Sequence, residues 1–393
     1  MNKDKPQKPG APGFILEPEE AASERPIHVL IDPPPPVSTG PGWFSRFFAL
    51  LGIVIFGGLI LAFFAFLKFS VLFLPPQEVS REVVVSIPEG ATPAQIGQIL
   101  EGAGVVKSGA AFYWAFRVIN KFKGPVVLKA GEMALDPSLP VWKTLAWVAD
   151  GKHYKLYPFT VAEGKNIYDI AQMAATAGFG SRDDFLALCR DRSFISSLGL
   201  EAKSLEGYLF PETYNFPRGT PLKTIMKTMV DTFANVWRKG NYDEAARRLG
   251  LSRHQVVTLA SIVEKETGAP RERPIIAGVF FNRLAKGMRL QTDPTVIYGL
   301  LPDFDGNITR NDLANPHPYN TYVIAGLPPG PIANPGAAAL SAVLKPDFVP
   351  FYYFVSKNDG THDFSENLAD HNRKVTKYQR LNRNAQGGRS RRP

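Results

Sequence analysis

The stretch SRHQVVTLASIVEKET, residues 252–267, decides how this chain is read. Ser252 is a favoured N-cap residue, and Arg253 to Glu266 reads as a strong helix. Val256, Leu259, Val263 and Glu266 recur at i, i+3, i+7 and i+10, one face of a 3.6-residue period. That spacing puts Glu266 on a core-facing stripe and turns Glu264 and Lys265 elsewhere. A carboxylate on an apolar face loses water, which favours its protonated form and raises its pKa. A general acid for glycosidic cleavage needs that preparation, as the buried glutamate of lysozyme, raised to about 6, illustrates. The bland alternative is a helix-end carboxylate paired with Arg271, Arg273 or Arg283, and Glu264 is the fallback acid.

Downstream of this helix, Gly287–Thr295 packs Arg289, Gln291 and Asp293 into one short segment, either a salt-bridged loop or the wall of a groove for a polar polymer. From about Leu300 the chain is dense in turn formers, notably Asn315–Tyr322 and Gly326–Gly336. Long loops in a compact domain are usually functional. Tyr319 and Asn320, with Arg289, Gln291 and Asp293, are expected to line the cleft beside Glu266. Phe351–Val355 reads as a buried strand, followed by a His-Asp-Phe turn and a polar C-terminal helix.

Upstream, Leu205–Tyr214 is aromatic and cannot continue a helix through Pro211. Further upstream lies an internal repeat. Ile87-Pro-Glu-Gly with Ile96-Gly-Gln98 matches Val161-Ala-Glu-Gly with Ile170-Ala-Gln172 at the same spacing. Each copy reads as strand, Glu-Gly turn and amphipathic helix, the first helix capped by Thr92 and opened by Pro93. The plain reading is a small β-α unit, and the sharper one is a glycan-binding, LysM-like unit.

Phe47 to Leu67 is an uncharged apolar run of 21 residues, about 32 Å as a helix and enough to cross a bilayer. The long preceding segment, the length of the run and the lack of a small-residue cleavage site argue against a cleaved signal peptide. Lys3, Lys5, Lys8, Arg25 and Arg46 precede the run and only Lys68 and Arg81 closely follow it, a bias that puts the N-terminus in the cytoplasm. Residues 1–46, with four consecutive prolines from Pro33, and 383–393 read as disordered tails.

The chain has 393 residues and a formal charge of +9, yet Arg373–Pro393 holds eight Lys/Arg and no acid. The remaining body is nearly neutral, which argues against a nucleic-acid partner. The single cysteine, Cys189, excludes an intrachain disulfide and a Cys-rich zinc module. His362 and His371 have no accompanying ligand cluster, so neither a metal nor another cofactor is expected. No His-Glu-x-x-His, Gly-x-Ser-x-Gly or Walker loop occurs.

Taken in order, Ala260–Thr267, Phe281–Leu284, Met288–Gly299, Tyr319–Tyr322 and Gly326–Gly330 resemble the motifs of the endolytic murein transglycosylase family (MltG, YceG-like). The resemblance spans roughly residues 45–380. It implies an α+β fold: a single transmembrane helix (47–67), a small LysM-like β-α subdomain (82–156) and a mixed α/β transglycosylase catalytic domain (157–382). It also implies a single-pass protein of the bacterial inner (plasma) membrane with a periplasmic catalytic domain. The activity implied is cleavage of the β-1,4 bond between N-acetylmuramic acid and N-acetylglucosamine in nascent peptidoglycan, leaving 1,6-anhydro ends and ending glycan elongation. The family's catalytic glutamate falls in the Glu-Lys-Glu-Thr box, and we place it on Glu266. One carboxyl group serves as acid and then as base, so no second catalytic acid is required. Glu206 and Glu212 are then candidate sugar-binding groups, and the partners implied are glycan strands, the lipid bilayer and peptidoglycan synthases. The competing readings are a non-catalytic peptidoglycan-binding scaffold for cell-wall synthases, and a hydrolase pairing Glu266 with Glu206 or Glu212.

Overall fold

The computed structural model describes residues 42–77 and 81–380. The expected tails therefore lie outside the described residues, except at Gly42–Arg46, of which Trp43–Arg46 are helical rather than part of a disordered segment.

Helix α1 (Trp43–Val71) has 29 residues, a mean hydropathy of 2.8 in its most apolar window and no buried side chain. It is long and apolar enough for a single-pass membrane anchor. The helix outruns the uncharged stretch by about a turn at each end and includes Arg46 and Lys68. Long cationic side chains can reach the aqueous interface from such positions, so a charge need not end the helix.

The remaining chain builds two hydrophobic cores, each with its own helices and strands. The first contains β1 (Val83–Ile87), α2 (Pro93–Gly102), α3 (Gly109–Lys123), β2 (Gly131–Leu135) and α4 (Val141–Asp150). Strands β1 and β2 pair antiparallel, Val85 opposite Met133, and drive Val85, Ile87, Met133 and Leu135 inward against Leu100, Phe112 and Leu145. The second core begins at β3 (Leu156–Thr160) and continues through α5 (Ile167–Thr176), α6 (Arg182–Arg190) and α7 (Arg192–Ser197). Strand β4 (Thr213–Pro217) pairs antiparallel with β3.

Both copies of the repeat are strand, turn and helix: β1 leads to α2, and β3 to α5. Gly90 and Gly164 sit at φ 75° in the two Glu-Gly turns, a left-handed conformation that disfavours any side chain. Each helix opens on a capping box, Thr92 with Gln95 and Asn166 with Asp169.

Helices α8 (Leu222–Lys239) and α9 (Tyr242–Arg248) lead into α10 (Arg253–Glu266), which is capped by Ser252 with Gln255 reaching back. Then follow α11 (Arg273–Ala285), α12 (Asp293–Leu300), α13 (Arg310–Ala314) and α14 (Ala337–Leu344). An antiparallel ribbon, β5 (Tyr353–Ser356) with β6 (His362–Ser365), and α15 (Leu368–Val375) finish the fold. His362–Phe364, expected as a turn, is strand, because the turn falls earlier at Asn358–Gly360.

Helix α10 lies at the centre of the second core, packed by α9, α11, α12 and α14. Val256 through Val263 are buried without interruption, so the helix has no solvent face along these two turns. The one-stripe expectation is thereby corrected. Periodicity located the apolar positions, but neighbours surround the helix, and Thr258 and Ser261 are as deeply buried as the valines.

The loop Gly330–Gly336 is buried throughout, and its polar groups find partners in neighbouring side chains and backbone. Ser261 Oγ accepts from Ile332 N at 3.0 Å, and Glu264 accepts from Gly336 N at 3.1 Å. Asn334 accepts from Leu209 N at 2.9 Å and donates to Glu206 at 3.1 Å and to Lys165 O at 2.9 Å. A proline- and glycine-rich stretch can lie in a core only with such partners.

Candidate active site

Glu266 ends α10 and opens onto a cavity of about 470 Å³. The other walls come from Arg283 on α11, the segment Leu290–Asp293, Tyr322, the β5–β6 ribbon and α15. Two devices hold the ribbon in place. Asn282 donates to Val349 O at 2.7 Å and Phe351 O at 2.9 Å, and Arg283 Nε donates to Tyr352 O at 2.6 Å. Glu272 accepts from both the backbone N and the ring Nδ1 of His362, at 2.9 and 2.7 Å. Gly278 on α11 lets the chain cross closely, since a Cβ there would sit 2.2 Å from Asp347 O.

The segment carrying Gln291 is clamped by three buried threonines. Thr321 Oγ1 accepts from Thr292 N at 3.0 Å, Thr295 Oγ1 lies 2.8 Å from Thr321 Oγ1, and Gln291 N donates to Thr321 O at 3.1 Å. The clamp holds Gln291 at φ 49°, an unusual conformation for a residue with a side chain. Tyr322 donates to Asp293 at 2.6 Å, fixing that carboxylate at the cavity wall.

Burial pushes the Glu266 carboxyl up to about 7, with the Asp293 charge adding to the shift. The position itself acts in the same sense, because a carboxylate at a helix C-terminus meets the negative end of the helix dipole. The Thr292 side chain and the Arg283 cation oppose the shift. Arg283 is buried, and no carboxylate lies within ion-pairing distance of it among the described residues. Its guanidinium donates to the carbonyls of Tyr352 and Leu290 and stands 5.3 Å from the Tyr353 ring centre. His371, another wall residue, is held below its usual value by burial and by Arg283.

Glu264 also differs from expectation. Its side chain is only 5% exposed, and it is paired with Arg273 at 2.9 Å. Of the arginines weighed as partners, Arg273 thus belongs to Glu264, while Arg283 faces Glu266 across the cavity without a direct pair. The two glutamates differ in partner rather than in burial. Glu264 spends both oxygens on Arg273 and the buried loop, whereas Glu266 faces the cavity.

Of the expected groove residues, the structure brings Gln291 and Asp293 into the wall beside Glu266. Arg289 is exposed and donates to Tyr322 O at 3.1 Å, but it does not line this cavity. Asn320 is buried, spending its amide on the carbonyls of Asp312, Leu313 and Asn315. Tyr319 lines a separate cavity of about 300 Å³ with Glu206, His254 and His317. In Glu206 burial raises the carboxyl to about 8, while its oxygens accept from Ile167 N and Asn334. Glu212 is exposed on the approach to β4 and lines neither cavity. The expectation that Tyr319 and Asn320 share the Glu266 cleft is therefore corrected: alternate residues of one tight loop face different ways, and only Tyr322 reaches this wall. Tyr322, Tyr353, His362 and His371 were not anticipated. Tyr322 could have been found, since it closes the Tyr-Asn-Thr-Tyr segment, whereas the other three depend on how the ribbon and α15 fold back.

Comparison with known proteins gives one consistent result. A family model described as the YceG-like family matches residues 85–377. An endolytic murein transglycosylase of Bacillus subtilis is 34% identical over 330 residues, covering 80% of this chain and 90% of that protein. One of Streptococcus pneumoniae is 30% identical over 336 residues, 76% of this chain, and this chain spans 58% of its length. The 2.6 Å crystal structure of a YceG-like protein from Listeria monocytogenes superposes with a TM-score of 0.52 at 32% identity, covering 75% of this chain and all of that one. The buried helix with its terminal Glu266, the clamped Gln291–Asp293 wall and these matches converge: the chain belongs to the YceG-like family.

Proposed function

We propose that this chain is a membrane-anchored lytic transglycosylase that cleaves peptidoglycan strands with Glu266 as its acid–base group. The observation that carries this reading is a carboxyl group, raised to about 7, in the wall of a cavity large enough for a ligand and faced by a fixed cation. Family membership and the names of the relatives support it. In the first step Glu266 gives its proton to the leaving glycosidic oxygen as the C1–O bond breaks. In the second, the Glu266 carboxylate takes the proton of the muramic C6 hydroxyl as that oxygen bonds to C1, regenerating the acid and closing the 1,6-anhydro ring. Water is not consumed. Arg283 favours the carboxylate between the two steps, and Gln291 and Asp293 supply hydrogen bonds to the sugars. Glu206 and Glu212, outside this cavity, are assigned no part in the chemistry. Mass spectrometry of glycan strands digested by the protein tests the reading: anhydro ends are expected, reducing ends would replace it with hydrolysis, and intact strands would leave a scaffold.

The pH response follows from the same carboxyl. The acid form is needed to start the reaction, so kcat/KM is expected to fall as pH rises through about 7. Folding is linked in the same direction. The folded state holds the proton up to about 7 and the unfolded chain only to about 4.5, so stability declines between those values. The difference in denaturant stability between the wild type and Glu266→Gln should therefore change across that window and be flat below it. A pH-independent difference would refute the raised carboxyl.

The βααβ order of β1, α2, α3 and β2 supports the reading of residues 82–156 as a LysM-like, glycan-binding subdomain. We place the N-terminus in the cytoplasm and the enzyme body in the periplasm, on the cation bias around α1. Reporter fusions at Gly10 and after Pro393 should report opposite sides of the membrane, and the same side for both would reject this topology. Peptidoglycan synthases remain the expected protein partners.

A further inference from the structure

One face of α3 is apolar, exposed and basic at its margins. Its inner side, Ala111, Phe112 and Ala115, is buried in the first core. On the outer side Trp114, Val118 and Phe122, spaced four residues apart, are 53%, 52% and 78% exposed, and Val127 just beyond the helix is 68% exposed. Side chains at that spacing form one stripe along a helix. Between Ala103 and Ala130 the chain has five basic residues, Lys107, Arg117, Lys121, Lys123 and Lys129, and no acid. None of the five is ion-paired among the described residues. Arg117 and Lys121 instead lie 5.9 and 5.8 Å from the rings of Tyr113 and Phe122.

We propose that this face rests on the bilayer that α1 crosses, with Trp114, Val118 and Phe122 in the headgroup boundary and the lysines on anionic lipid. Aromatic and aliphatic side chains on one side, flanked by Lys and Arg, are what an interfacial helix requires. Chain length supplies the proximity. Helix α1 ends at Val71, and Phe73 already packs into the core that carries α3, its carbonyl accepting from Val141 N at 3.2 Å. Two residues span no more than about 7 Å. A body of roughly 80 residues has a radius of gyration of about 12 Å, so no part of its surface is far from where the chain leaves the membrane. A second copy of this chain is a poor occupant, because two such faces would bring ten cations together. A glycan strand is poorer too, because the stripe lacks the acceptor side chains that sugar hydroxyls need around an aromatic platform.

This inference rests on α1 crossing the bilayer and not on the chemistry at Glu266, so cleavage is not its readout. The full chain is reconstituted into nanodiscs, and only chains retained by the discs are measured, so anchoring is established first. A fluorophore is placed at Val118→Cys or, as control, at Ser196→Cys on the exposed side of α7. Cys189 is fully buried and does not compete for label under native conditions. With phosphatidylglycerol in the discs, nitroxide on the lipid chains is expected to quench the label at 118 several-fold more than the label at 196. Each cation at an anionic surface is worth about fivefold in occupancy, so Lys121→Glu with Lys123→Glu should lower the docked-to-undocked ratio by at least about tenfold. These side chains are exposed, and an unchanged melting curve confirms that the variant is folded. Equal quenching at 118 and 196 would overturn the proposal. Strong quenching at 118 that ignores both charge reversal and replacement by phosphatidylcholine would overturn the anionic-lipid assignment. Shielding of the label by soluble glycan fragments without lipid quenching would overturn it in favour of a sugar site.

Discussion

Replacing Glu266 by Gln is expected to lower turnover by at least about 10²–10⁴-fold, the usual worth of general acid–base help, with the fold and strand binding kept. Gln preserves the shape of the side chain and the packing of α10. Its amide can neither give a proton to the leaving oxygen nor take one from the C6 hydroxyl, so both half-reactions fail. Losing the charge costs the fold little, since at pH 7 the carboxyl is already about half protonated. The check is a time course of anhydro-ended product, paired with a pull-down of glycan strands. A variant that still formed anhydro ends at near wild-type rate would move the catalyst off this helix.

The second large effect is on stability, at Glu264. From its position on the helix Glu264 is a natural control, a substitution expected to change little. Its pairing alters that expectation. Glu264 and Arg273 are 5% and 11% exposed and 2.9 Å apart, and the other Glu264 oxygen holds the buried loop at Gly336. Removing one partner of a buried pair leaves an uncompensated charge and costs about 3–5 kcal/mol. Glu163, 3.8 Å from Arg273, offsets part of this, so Glu264→Gln should fall near the low end. For a domain of this size that corresponds to a Tm lower by about 6–12 °C. Activity per folded molecule should be retained at temperatures where the variant is folded. Adding Arg273→Met should restore much of the loss, since a neutral apolar pair removes the buried cation. Calorimetry of the single and double variants decides the matter. If Glu264→Gln melts with the wild type but is inactive, Glu264 rather than Glu266 is the acid.

Local features were legible because local physics governs them. Ser252, Thr92 and Pro93 mark helix starts by satisfying or dispensing with the first backbone donors, and both starts lie where those residues stand. The repeat was legible because Gly90 and Gly164 meet the same backbone demand in two places. The α10 stripe was legible as a set of apolar positions, but which of them faced protein and which a cavity was not. His362 departs from the expected turn for a related reason: a short polar strand becomes a strand through its partner, here by pairing with Ser356.

The sequence by itself determined that one apolar helix precedes the body, that a β-α unit is used twice, and that a helix with an apolar stripe ends in Glu-Lys-Glu-Thr within the family's ordered motifs. Each of these is written in residues close together along the chain. Only the tertiary structure decided which glutamate is spent on an arginine and which is left facing a cavity. Arg273 and Arg283 are both within reach of that helix end by sequence distance, and the packing of α11 assigns the first to Glu264 and leaves the second opposite Glu266. It likewise split Tyr319 from Gln291 and Asp293, and made Glu206 the holder of a loop more than a hundred residues away in the chain. The protonation state of a carboxyl depends on the charges and water around it in space, and those are fixed only when distant segments meet.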